Sequence, residues 1–117
     1  MVMHTELDIY KAAYELLSLA TDLTQNIRRD IKASLGRKIS DECVDLLVII
    51  ARANAAKDKT PHLTEMIERA QVVDFLLRVL KDKGFITVKQ LTPAMKLIAS
   101  IGKQANGWKK YTASPAS

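Results

Sequence analysis

The sequence predicts an all-α fold, an antiparallel up-down four-helix bundle, on three observations. Apolar residues recur at three- and four-residue steps along most of the chain. No stretch alternates β-branched and aromatic residues between turn signals, as strands would. Stop and start signals near 28–34, 58–61 and 84–87 divide the chain into four helical lengths, and the short connections between them favour antiparallel neighbours. With 117 residues there is enough chain for one domain and one core, and too little for two. Residues 1–117 therefore read as a single domain, ordered over about 5–111, with a small polar tail over 112–117.

The first helix is expected from Thr5 to about Gln25. Thr5 serves as N-cap, Asp8 lies near the positive end of the dipole, and Tyr10, Ala13, Tyr14, Leu17 and Ala20 form the inner face. The second helix starts somewhere between Arg28 and Ser34 and runs to about Lys57. It turns Leu35, Ile39, Cys43, Leu46, Ile50 and Ala53 inward. Asp58-Lys59-Thr60-Pro61 is a break followed by a restart, with Thr60 as cap and Pro61 at the first helical position. The third helix then buries Leu63, Ile67, Ala70, Val73, Leu77 and Leu80 and closes at Gly84. Thr87 and Gln90 have the spacing of a capping box for the fourth helix, which continues to about Tyr111; Pro93 within it is expected to kink it.

Composition narrows the function. The chain is 48% hydrophobic and 26% charged, which suits a globular core rather than disorder. No apolar run reaches the roughly 20 residues of a membrane span, and the first residues lack a basic-then-apolar leader, so the expected compartment is the cytoplasm. Cys43 is the only cysteine, which excludes an internal disulfide. His4 and His62 are isolated, and no zinc, phosphate-loop or nucleophile-elbow motif is present. Neighbouring Asp41 and Glu42 point about 100° apart on a helix and cannot share a proton. These absences argue for no enzymatic activity, no cofactor, no metal and no small-molecule substrate.

Charge is placed unevenly. The net +5 divides into −3 over residues 1–27, +4 over 28–38, −1 over 39–83 and +5 over 84–117, where no carboxylate side chain occurs. Arg28, Arg29, Lys32, Arg37 and Lys38 cluster at the entry of the second helix, where free N–H groups also favour phosphate. Lys89, Lys96, Lys103 and Lys110 recur every seven residues, and a heptad step drifts only about 20° around a helix. These four ammoniums form one slowly winding row opposite the expected core. A row of uncompensated cations suits a polyanion held through its phosphates, RNA or DNA; a solvated lysine face is the alternative.

The second helix is also too apolar for a monomer. Cys43-Val44-Asp45-Leu46-Leu47-Val48-Ile49-Ile50-Ala51 carries one charge, and Val44, Leu47, Val48 and Ala51 turn away from the bundle face. Burial against another copy of the chain is the expected remedy, with a wide single-domain core as the alternative.

Ser34-Leu35-Gly36-Arg37-Lys38-Ile39, the Ala51–Lys59 stretch ARANAAKDK and the Ile101–Trp108 stretch IGKQANGW resemble the accessory variability determinant (Avd) family of diversity-generating retroelements. That family lies within a wider four-helix-bundle group that includes proteins encoded in ribosomal RNA intervening sequences. The likeness runs from about Leu7 to Tyr111, carried by the order and spacing of these segments. It implies a homopentameric barrel of bundles with a positive surface, which binds a reverse transcriptase and its template RNA to support mutagenic retrohoming. Arg29, Lys32, Lys38 and Lys103 match recurrent basic positions of the family. Gly36 matches a glycine that lets a neighbouring helix or subunit come close, and Gly102, Gly107 and Trp108 match its glycine and tryptophan positions, with Trp108 as a packing anchor. Arg28 stands where proline is common, Ala33 replaces a frequent aromatic, and Pro93 interrupts a usually continuous helix. A protein-interaction scaffold of the same fold, or a ribosomal RNA intervening-sequence type of protein without strong nucleic-acid binding, is the alternative function.

Overall fold

The computed structural model describes residues 2–113, and no strand occurs among them. After a 3-10 turn at His4–Glu6 come four helices. Helix α1 is Asp8–Thr24. Helix α2 opens with one α-helical turn, Arg29–Ile31, passes through a π-helical turn, Lys32–Gly36, and continues as Arg37–Ala55. Helix α3 is Thr60–Asp82 and α4 is Val88–Ala113. Of the expected tail, Thr112 and Ala113 belong to α4, and residues 114–117 lie outside the described residues.

Each helix packs mainly on two others, in the cyclic order α1–α2–α3–α4–α1. The particle measures 50 × 21 × 19 Å, a cross-section of two helices by two. Ile39, Leu46, Ile50, Leu63, Leu77 and Ile101 are among its fully buried side chains. At about 25 cal/mol per Å2, burial of such apolar surface is the main force holding the four helices together.

Local signals explain most boundaries. The Thr87 N–H donates to Gln90 Oε1 at 2.9 Å and the Gln90 N–H donates to Thr87 Oγ1 at 3.1 Å, the reciprocal capping box the sequence predicts. Gly84 closes α3 at φ +81°, a conformation other residues adopt at a cost. There the Phe85 N–H donates to the Leu80 carbonyl at 2.9 Å and the Gly84 N–H to the Lys81 carbonyl at 3.0 Å.

Four local expectations differ from the structure. Thr5 lies in the 3-10 turn and caps nothing; Leu7 holds the N-cap position of α1 without a side-chain bond. The inner face of α1 is Ile9, Ala13, Leu16 and Ala20, while Tyr10 and Leu17 are half-buried and Tyr14 exposed. Aliphatic groups win the interior because a buried tyrosine must also satisfy its hydroxyl. On α3, Met66 takes the core position expected of Ile67, and the Thr60 N–H is capped by Asp58 Oδ1 at 3.2 Å. Pro93 sits inside α4, which runs through it to Ala113: it is exposed, and Leu91 and Ala94 beside it are buried.

Candidate nucleic-acid interface

Lys89, Lys96, Lys103 and Lys110 are all exposed on α4, on the side away from buried Leu91, Ala94, Ile98, Ile101 and Ala105. Successive members stand about 10.5 Å apart along the axis. Among the described residues none of the four forms an ion pair. Four exposed ammoniums with no carboxylate paired to them among the described residues are available to phosphates.

The basic cluster at the entry of α2 is less uniform. Arg28, Arg29, Lys32, Arg37 and Lys38 are exposed and lie around the π-helical turn, a local irregularity frequent at functional sites. The Arg37 N–H donates to the Lys32 carbonyl there, a widened turn with no signal in the residue pattern. Three of the five bases have partners inside the chain. Arg28 Nε and Nη2 donate to the two Asp30 carboxylate oxygens at 3.0 and 2.9 Å. That guanidinium holds the Asp30 carboxyl below its ordinary range. Lys32 Nζ donates to the Gln25 carbonyl at 3.2 Å, closing the end of α1. Lys38 Nζ lies 2.7 Å from Glu42 Oε1. Arg29 and Arg37 form no ion pair among the described residues.

Glu42 was not legible as special. Its side chain is 2% exposed, and Arg69 Nη1 of α3 donates to both carboxylate oxygens at 3.1 and 3.0 Å. Burial alone would raise its pKa, but the hydrogen bonds and charges of Lys38 and Arg69 outweigh this and hold it below the usual value. Arg69 Nε is buried without a partner. Cys43, next to it on the inner face, is fully buried, and burial together with the Glu42 charge pushes its thiol up to about 12. Such a thiol is not a nucleophile at neutral pH.

Another lysine proves structural. Lys59 Nζ donates to the carbonyls of Ala53, Asn54 and Ala56 at 2.8, 3.1 and 2.8 Å, capping the end of α2. It also stands 5.8 Å from the centre of the Trp108 ring, which is half-buried against the core. Trp108 thus ties the end of α4 to the α2–α3 connection, in keeping with a packing anchor. Gly36 is buried beside α1, where an added Cβ would meet Thr24 Cβ at 3.5 Å, an ordinary contact, so this approach leaves room for a methyl. At Gly102 and Gly107 an added Cβ would meet nothing within 4 Å in the single chain.

The second apolar face of α2 is present in part. Val44 and Val48 are 46% and 42% exposed, and Leu47 and Ala51 are half-buried at its margin. Phe75 on α3, 74% exposed, is a larger outward apolar group that helical periodicity did not single out. No group of His, Cys, Asp or Glu that could hold a metal ion occurs among the described residues, and none of their helices is long and apolar enough to cross a membrane.

A family model described as bAvd-like matches residues 7–112. No curated protein and no solved structure matches the chain.

Proposed function

The chain belongs to the bAvd-like family, and from that membership we propose that it is a nonenzymatic accessory protein of a diversity-generating retroelement. It acts as an oligomer of up-down antiparallel bundles, a pentameric barrel, that brings the reverse transcriptase together with template RNA or its DNA copy for mutagenic retrohoming. The observation that carries the nucleic-acid part is the row Lys89, Lys96, Lys103 and Lys110: exposed, evenly spaced and without ion pairs among the described residues. Arg29 and Arg37 extend the phosphate contacts, with Arg28, Lys32 and Lys38 nearby and partly engaged inside the chain. Contacts of this kind position a strand and do not read its bases. Val44 and Val48, with Leu47 and Ala51 at the margin, meet a neighbouring copy, and the assembly then multiplies the basic rows on one particle.

Replacing Lys96 and Lys103 by Glu and following an RNA mobility shift tests the reading. Loss of the shift by a variant that keeps its helicity and assembly size supports it. An unchanged shift assigns the lysines to solubility and leaves a protein-interaction scaffold.

A further inference from the structure

The lysine row has an acidic counterpart. Asp8, Glu15 and Asp22 also recur every seven residues, along α1, all exposed and none ion-paired among the described residues. Because α1 packs on α4, both rows run beside one seam. Glu15, Asp22 and Lys96 line a single groove of about 490 Å3, floored by Leu19, Pro93 and Leu97. Farther along, Asp8 lines a second groove of about 320 Å3 with Gln104 and Trp108. Of the four lysines only Lys96 lines either groove.

Helical geometry grades the row. Around α4, Lys89, Lys96, Lys103 and Lys110 are turned about 40°, 60°, 80° and 100° from Pro93 on the seam. The heptad drift of about 20° per step carries the lysines away from α1 toward the C-terminal end of α4. Carboxylates within the Debye length of about 10 Å at 0.1 M salt lower the potential that a phosphate meets.

We propose that the lysine row is graded: Glu15 and Asp22 mask Lys89 and Lys96, so that phosphates are held chiefly by Lys103 and Lys110. This rests on the nucleic-acid reading above and adds a direction to it. The acidic residues border the track on the α1 side, and the strand lies along the C-terminal half of α4, on the flank away from α1. Binding is thereby kept weaker than four free lysines would make it.

The test uses fluorescence anisotropy with a labelled uridine homopolymer and the full chain. The double variant Glu15→Gln/Asp22→Asn is expected to bind about five- to tenfold tighter at about 0.1 M salt, the gain fading as added salt shortens the Debye length. Asp8→Asn, whose neighbours on the seam are Gln104 and Trp108, is expected to change affinity less than about twofold by the same screening argument. Lys89→Glu should weaken binding more in the double variant than in the parent chain, a coupling that a merely structural role of the acids would not produce. If the parent binds in a salt-dependent way and the double variant binds no tighter, the grading is wrong and the nucleic-acid reading stands. If neither chain binds the RNA, both fall together.

Discussion

Lys38 reaches across one helical turn to Glu42, Nζ to Oε1 at 2.7 Å, and so a base at the entry of α2 is bound to a carboxylate buried in the bundle. Arg69 completes the arrangement from α3. The same charge cannot be fully available to a phosphate, and Lys38→Ala is expected to lower stability more than RNA affinity. Arg29→Ala and Arg37→Ala should do the reverse, as read by urea melts beside binding titrations.

Glu42 makes stability depend on acid. Its folded-state pKa is lowered relative to the ordinary 4.5, so its contribution is complete above that value and is lost as pH falls through 4.5 toward the folded-state value. Glu42→Gln should flatten the acid limb of the stability curve. It should also cost about 2 kcal/mol at neutral pH, less than the roughly 3–5 of a fully buried broken pair, because Lys38 and Arg69 keep access to water. A variant curve that overlays the parent's in urea melts from pH 3 to pH 7, a span set around the ordinary carboxylate range, would contradict this.

Cys43 should be silent in the folded protein. With its thiol buried and pushed up to about 12, it is expected to resist a thiol reagent at pH 8 and to react fully in denaturant. Fast native-state labelling would mean that the inner face of α2 opens readily.

Val44 and Val48 separate folding from assembly. Both are substantially exposed in the single chain, so Val44→Asp with Val48→Asp should leave helicity nearly unchanged, a cost within about 1 kcal/mol for surface positions. Light scattering is expected to show the parent as an oligomer and the double variant as a single chain. Equal masses for the two would place the contact elsewhere, with exposed Phe75 the next position to change.

Features that repeat or punctuate were legible in the sequence. The seven-residue lysine spacing, the Thr87–Gln90 box and the Gly84 stop each involve residues close in the chain, where helix geometry alone fixes the outcome. What escaped depends on contacts across the fold. Glu42 meets Arg69 twenty-seven residues away, and Lys59 meets Trp108 only because α4 returns beside the α2–α3 connection. The inner face of α1 was misread because tyrosine and leucine count alike in a hydrophobic pattern but differ in what burial demands of them. The π-helical turn at Lys32–Gly36 has no sequence rule comparable to a cap.

The phosphate-binding account is tested most directly by the slope of RNA affinity against salt. Four lysines each displacing a counterion from a single strand give a slope of about −3 in log K against log salt, shallower if two are masked and steeper if Arg29 and Arg37 join. A slope between about −1 and −4, reduced by Lys103→Glu with Lys110→Glu, is the expected result. Affinity that stays flat from low to moderate salt would show that phosphates are not what this surface holds.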